Sequence, residues 1–439
     1  MNGRYGVDTG ERETPGTRRT AFAGALAGHA IEWYDYGVYG FLAVYIGSAF
    51  FTSDSGSTDL LKSLAVFALS FLVRPLGGLI FGPLADRAGR KVVLVLIIGL
   101  MSGSTFVVGL LPTYQTAGIA APALLVLCRC LQGLSAGGEM GTATSFMAEY
   151  AGPGRRGWGT SLVVMGSVVG LLLGSLCANG LAVAIGSEAM SDWGWRLPFL
   201  LGGPLGIIAL IIRSRVEETP EFAALQRAGD IAASPLREVI SDRRPVVLVF
   251  LIVTLMNSYF YLVLTFTSTY FTQYLGFGAE SRFALVSAAA VVAGIAMPLG
   301  GRYTDNHDRR RFLLIVGLLS IVSMLWFFAV APRSTPGQLI VPLFALAVTF
   351  GLYTSSTFAL VTDLVPARRR STTIAIGYNL PVAIFGGTAP MVAAWLIERS
   401  GSASAPMYYF LVMGAMSIIG LLMLRRDDFV EPEVSVPAR

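Results

Sequence analysis

Twelve apolar stretches, each about 20 residues long, fill most of this 439-residue chain; they are centred near residues 34, 72, 101, 135, 171, 204, 259, 293, 321, 350, 385 and 415. A helix needs about 20 apolar residues to cross a bilayer, and helices satisfy their own backbone polar groups in lipid. The chain is 54% hydrophobic and 13% charged, about half the charge of a soluble domain. No aqueous core can take up that much apolar surface. The expected architecture is therefore an all-α membrane protein of twelve transmembrane helices.

A charged loop appears twice. Gly82-Pro83-Leu84-Ala85-Asp86-Arg87-Ala88-Gly89-Arg90-Lys91 lies between the second and third apolar runs, and Gly301-Arg302-Tyr303-Thr304-Asp305-Asn306-His307-Asp308-Arg309-Arg310 lies between the eighth and ninth. Both place an Asp four residues after Gly and an Arg four residues after Asp. A second pair follows the fourth and tenth runs, where Glu149 precedes Arg156 and Asp363 precedes Arg370 at the same seven-residue spacing, with a Pro between. Two echoes in the same order, about half a chain apart, indicate a duplicated six-helix bundle, the symmetry on which rocking carriers are built. The expected divisions are a tail over 1–19, a first bundle over 20–213, a polar linker over 214–245, a second bundle over 246–424 and a tail over 425–439. Residues 1–19 are polar and carry no cleavable leader pattern.

Charge sets the orientation. Segments on the side of the N-terminus hold 25 Lys and Arg; the loops on the other side hold five. By the positive-inside rule both termini and the linker are expected in the cytoplasm, with the chain in an inner membrane. The net charge of +5 belongs to these loops, which excludes a nucleic-acid partner. Cys128, Cys130 and Cys177 all fall in apolar runs, where they read as small apolar filler. No metal, cofactor or nucleophile is expected, and the chain is not expected to be an enzyme.

Ions inside the bilayer cost roughly 2.5–3.5 kcal/mol each on insertion scales, so each is a functional candidate. The first bundle has His29, Glu32 and Asp35 in its first run, Arg74 in its second, and Arg129 and Glu139 in its fourth. The second bundle offers polar and aromatic groups instead: Asn257, Tyr259, Tyr261, Tyr353, Tyr378 and Asn379. His29, Glu32, Tyr36 and Tyr39 recur at helical spacing and share one face. Arg129, Gln132, Ala136 and Glu139 form another. Two such faces line a polar cleft. One reading makes Asp35 and Arg129 a switching pair, with Arg74 a second cation for a substrate carboxylate, since guanidinium suits carboxylate. Glu32, Glu139 and His29 are further proton-handling candidates. Gln132, Tyr36, Tyr39, Asn257, Tyr259, Tyr261, Tyr378 and Asn379 would line the substrate site. The other reading makes the charges permanent ion pairs that hold the helices together. Asp86, Arg90, Glu149, Arg156, Asp305, Arg309, Asp363 and Arg370 are expected to act as a latch at the loop ends. Gly166, Gly170 and Gly174 are expected to permit close helix packing.

These residues also carry a resemblance. Gly82-x-Leu84-x-Asp86-Arg87-x-Gly89-Arg90-Lys91 resembles the loop signature of the major facilitator superfamily, and Arg129-x-x-Gln132-Gly133 resembles its fourth-helix signature. Glu32-Trp33-Tyr34-Asp35, Arg74-Pro75-Leu76-Gly77-Gly78, the run from Gln132 to Glu139, and Trp193-Gly194-Trp195-Arg196-x-Pro198-Phe199 resemble the metabolite:proton symporter family. That family includes carriers of citrate, 2-oxoglutarate, shikimate, and proline or betaine. The resemblance implies a carrier that takes up a small carboxylate-bearing metabolite with protons; alternating access by a single chain is expected. It also implies that Asp35 and Arg129 match a pair tied to proton coupling in the superfamily's sugar porters. The family usually has Asn at His29. The second loop copy lacks the Arg-x-Gly element, which implies a weaker latch there. A drug or metabolite exporter is the alternative, disfavoured because no Pro stands among Gly166, Gly170 and Gly174.

Overall fold

The computed structural model describes residues 15–51, 56–152 and 154–430; the outer parts of both expected tails lie outside them. Among the described residues every regular element is a helix. The first bundle holds α1 (Pro15–Phe50), α2 (Gly56–Ala88), α3 (Arg90–Leu110), α4 (Ala120–Ala151), α5 (Arg156–Ala189) and α6 (Arg196–Ser214). The second holds α7 (Arg244–Phe260), α8 (Ala279–Thr304), α9 (Arg309–Val330), α10 (Ile340–Asp363), α11 (Arg370–Pro381) and α12 (Pro406–Leu422). Ten helices among the described residues are long and apolar enough to cross a membrane. α1, with 36 residues and the buried His29, Glu32 and Asp35, and the 17-residue α12 complete the twelve. Two short helices, Pro220–Ala228 and Pro235–Ser241, sit in the linker, each opened by a Pro at its first turn, where the missing N–H costs nothing.

Close packing follows from glycine placement. A Cβ on Gly77 would lie 1.9 Å from the Leu134 carbonyl oxygen, and one on Gly137 would lie 2.0 Å from that of Arg74. α2 and α4 therefore touch backbone to backbone. Gly166, Gly170 and Gly174 do the same for α5 against α1, with virtual Cβ atoms 3.0, 2.2 and 2.7 Å from carbonyl oxygens of α1, as their four-residue spacing predicts.

The halves meet through α5 against α8 and α10, and through α11 against α2 and α4. α7 continues through two π-helical segments, Tyr261–Phe266 and Tyr270–Tyr274, and α11 through Val382–Gly386. Such turns rotate the residues beyond them and recur at functional sites.

Candidate functional site: a buried charge network, a central cavity and a latch

Three features make up the site: one inside the first bundle, one between the bundles and one at the end that carries the linker. The first is ionic. Arg129 on α4 donates to Asp35 on α1 at 2.9 and 3.4 Å, and Gln132 and Thr105 each donate to the same carboxylate at 2.9 Å. The Arg129 guanidinium lies 3.9 Å from the Tyr39 ring centroid, and the Tyr39 hydroxyl donates to the Ser63 carbonyl at 3.1 Å. Asp35 thus accepts from three side chains in a site closed to water. One turn away, Arg74 donates to Glu32 at 3.1 Å. His29 Nδ1 lies 3.2 Å from Glu139 and 3.3 Å from Glu32, and the Trp33 indole N–H donates to His29 Nε2 at 3.1 Å. All the ionic residues expected in the first bundle are buried and brought together in these two clusters.

His29, Glu32 and Glu139 place three ligand-type atoms within 4.8 Å of one another. Donor chemistry alone would suit a divalent metal. The surroundings do not: Arg74 already occupies Glu32, the indole holds the second imidazole nitrogen, and Arg213 lies beside Glu139. A dication there would face two guanidinium groups. Shared protons fit this cluster better.

The second feature is a cavity of ≈ 10 Å³ between the bundles, barely room for one water. Trp33, Phe260, Tyr261, Phe358 and Tyr378 give it an aromatic wall, with Asn257 as a polar group and no charged side chain among its described lining residues. Arg74 stands just behind: its guanidinium is 5.6 Å from the Tyr36 ring and 5.8 Å from the Phe71 ring, and it interacts electrostatically with the Tyr261 and Tyr378 hydroxyls. Its Nε and Nη1 are buried without hydrogen-bond partners, as are the hydroxyls of Tyr36 and Tyr261 and the Asn257 side-chain nitrogen.

Several expected wall residues are elsewhere. The Tyr259 hydroxyl turns into the second bundle, 2.8 Å from the Leu346 carbonyl and 2.6 Å from Thr349. Tyr353 donates to the Ile252 carbonyl. Asn379 donates to the Gly137 and Ala375 carbonyls and joins α11 to α4. Tyr39 and Gln132 serve the Asp35–Arg129 cluster, and Arg129 has both terminal nitrogens committed there, so it does not face the cavity in this state. Conversely, Trp33 lines the cavity, although sequence reasoning gave it only a motif role. Arg213, the last residue of the expected first bundle, was not singled out as a site residue. It lies in the last turn of α6, fully buried, its guanidinium 5.1 Å from the Phe146 ring and without a hydrogen-bond partner.

The third feature closes the end of the molecule that carries the linker. Asp86 at the end of α2 accepts from Ser371 N at 3.1 Å, Thr372 N at 2.8 Å and the Thr372 hydroxyl at 2.7 Å, at the start of α11. Asp305 at the end of α8 accepts from Gly157 N at 2.7 Å and Trp158 N at 3.0 Å, at the start of α5. Each carboxylate sits on a helix N-terminus of the opposite bundle, where unpaired N–H groups and the dipole favour an anion. Glu149 pairs with Arg90 of its own half at 3.3 Å and Arg370 of the other at 3.0 Å. Asp363 likewise pairs with Arg309 of its own half and with Arg156 of the other at 3.2 Å. All eight residues expected in the latch therefore form two matching networks. Without the Arg-x-Gly element, the second copy still has Asp305 and Arg309 3.0 Å apart and its cross-bundle contacts in place, although its ion pairs are more exposed than those of the first copy.

The linker is part of this closure, which sequence reasoning missed because its partners are 65 to 149 residues away. Glu221 bonds Arg156 at 2.8 Å and Arg370 at 2.7 Å, so it spans both networks. Burial opposes its ionisation, but the two guanidinium groups prevail and hold its carboxyl below the usual range. Glu218 caps α3 through Arg90 N at 3.1 Å and Lys91 N at 3.1 Å; burial pushes its carboxyl up.

With this geometry in hand, comparison with known proteins is consistent throughout. The sequence model of the Major Facilitator Superfamily matches residues 26–377 and 283–439. The proline/betaine transporter of Escherichia coli (strain K12) is 34% identical over 417 residues, covering 92% of this chain and 83% of that protein. The citrate-proton symporter of Salmonella typhi is 31% identical over 421 residues, covering 94% and 96%. Among solved structures, the proton:xylose symporter XylE bound to 6-bromo-6-deoxy-D-glucose superposes with a TM-score of 0.78 at 16% identity, covering 93% of this chain and 95% of that one; at that identity it shows the fold. The chain therefore belongs to the major facilitator superfamily, within its metabolite:proton symporter family, and is a multi-pass membrane transporter, not an enzyme.

Proposed function

We propose that this transporter imports a compact zwitterion of the proline or betaine kind together with protons, by alternating access across a bacterial inner membrane. The observation that carries the reading is the pairing of an aromatic, uncharged wall with one adjacent guanidinium that has two unused donors. Aromatic faces attract a bulky, weakly hydrated cation. Arg74 suits the single carboxylate such a molecule carries. A tricarboxylate would bring three charges to a wall with one nearby guanidinium. The relatives named for proline and betaine point the same way.

In this reading Asp35 and Arg129 are the switching pair. Arg129 is paired with Asp35 in this state, and a shift of α4 against α1 within the first bundle during the transport cycle frees the acid to take a proton. Arg74 replaces Arg129 as the seat of the carboxylate. The latch end is cytoplasmic, by its excess of Lys and Arg, and one chain suffices. The ≈ 10 Å³ cavity is too small for such a molecule, so loading requires the wall to open.

The test is uptake into proteoliposomes under an imposed inward proton gradient, with labelled glycine betaine, proline and citrate supplied separately. Gradient-dependent accumulation of a zwitterion, abolished by a protonophore, is the expected result. Accumulation of citrate alone, or uptake indifferent to the gradient, would refute the reading.

A further inference from the structure

We infer that Trp33 makes protonation of His29 depend on whether the central cavity is occupied. The inference rests on reading that cavity as the substrate site.

Trp33 faces both ways. Its ring lines the cavity and packs on Phe260 with centroids 4.5 Å apart. Its N–H points back to His29 Nε2 at 3.1 Å. An indole nitrogen is a donor only, so Nε2 is the acceptor and carries no proton. The ring proton is then on Nδ1, where Glu139 and Glu32 accept it at 3.2 and 3.3 Å. Imidazole in this state is neutral, and it cannot take a second proton on Nε2 while the indole N–H occupies that position.

The charged groups facing the ring come from four helices. Glu32 is on α1 itself and Glu139 on α4; Arg74 of α2 stands behind Glu32, and Arg213 of α6 stands beside Glu139. α5 brings Gly166 against it, whose virtual Cβ lies 3.3 Å from the His29 Cβ. The two carboxylates nearest the ring are placed to stabilise an imidazolium once Nε2 is released.

Release follows from cavity size. Nothing larger than a water fits in ≈ 10 Å³, so a ligand enters only by moving the wall, and a cation drawn to the indole face moves Trp33. When its ring swings toward the ligand, the N–H leaves Nε2 and a proton from the opened cleft takes its place. Ligand and proton then favour each other's binding, as linkage requires to be reciprocal. Trp33 is a positioning residue here, and the proton site it controls is distinct from Asp35.

The chain has two histidines, His29 and His307, so ring-¹⁵N-histidine labelling yields two spin systems, with His29 assigned by its loss in His29→Asn. The empty wild-type protein should show an unprotonated Nε2 and a protonated Nδ1. Trp33→Phe keeps the ring and removes the donor. At a given pH it should raise the doubly protonated share of His29 about tenfold, the value of one ordinary hydrogen bond. Saturating glycine betaine should move wild type the same way and leave Trp33→Phe unchanged. An Nε2-protonated tautomer in the empty wild type, or identical titrations of the two proteins, would overturn the inference; the first reading decides the matter even if Trp33→Phe does not fold. A wild-type protein that transports betaine yet shows no change at His29 on binding it would also overturn it. Absence of zwitterion transport in a protein whose ring behaves as described would sink the proposed substrate and leave the Trp33–His29 switch standing.

Discussion

Removing the Asp305 carboxylate should open the latch end of the carrier. In Asp305→Ala, the first turn of α5 loses the acceptor for Gly157 N and Trp158 N, 2.7 and 3.0 Å away. Loss of a helix-capping side chain costs about 0.5–2 kcal/mol. Here the acceptor is charged and its side chain is only 4% exposed, which places the effect at the upper end, since hydrogen bonds to charged groups contribute about 1.5–3 kcal/mol. Arg309 loses one of two partners and keeps Asp363. A total of about 2–3 kcal/mol against the closed state follows, a shift of roughly 30- to 150-fold in the open-to-closed ratio. Asp86→Ala should act in the same direction, because Asp86 caps α11 through Ser371 N, Thr372 N and the Thr372 hydroxyl. Spin labels at Arg87→Cys and Arg302→Cys, both exposed and at the ends of α2 and α8, report the separation of the bundles by double electron–electron resonance in a cysteine-free background. Wild type should give one short distance, and each variant a second, longer population. An unchanged distribution in both variants, or opening in one alone, would refute the symmetric latch.

Further outcomes follow from other parts of the structure. Arg74→Gln removes the two unused donors beside the cavity and should raise the half-saturating zwitterion concentration at least about tenfold, whereas Arg74→Lys, which keeps the charge, should recover part of it in the same uptake assay. Gly77→Ala puts a Cβ 1.9 Å from a backbone oxygen; overpacking of that kind costs about 1–3 kcal/mol or more, seen as a lowered melting temperature or loss of folded protein in detergent. The Glu221 bridge should persist in mild acid. A carboxyl held below its usual range adds stability above the unfolded-state value and loses it only as pH falls through the lower folded-state value. The labelled pair should therefore keep its short distance at pH 5–6, and Glu221→Gln should lengthen it there.

Much of this site was legible because lipid leaves few places for ions. Asp35, Arg129, Glu32, Arg74, His29 and Glu139 stood out by position alone, and helical spacing placed them on facing stripes. The latch was legible because the chain writes it twice. What escaped was whatever depends on rotation of one helix against another. Tyr259 and Tyr261 are two residues apart, about 200° around a helix, and nothing local says which faces the centre. The hydrogen bond from Trp33 to His29 is an i,i+4 contact, but its meaning comes from Phe260 and the cavity across the bundle interface. Arg213 sits at the boundary between bundle and linker, where sequence alone does not show that α1 and α4 bury it. Glu221 looked like one acid in a charged stretch, and its two arginines come from opposite halves.

Coupling through Asp35 is the claim on which the mechanism depends, and it is tested most directly by comparing exchange with accumulation in Asp35→Asn. Proteoliposomes loaded with unlabelled glycine betaine report exchange without a gradient, and empty ones under an inward proton gradient report accumulation. Asp35→Asn should retain exchange and lose accumulation. Accumulation at the wild-type level in that variant would contradict that claim.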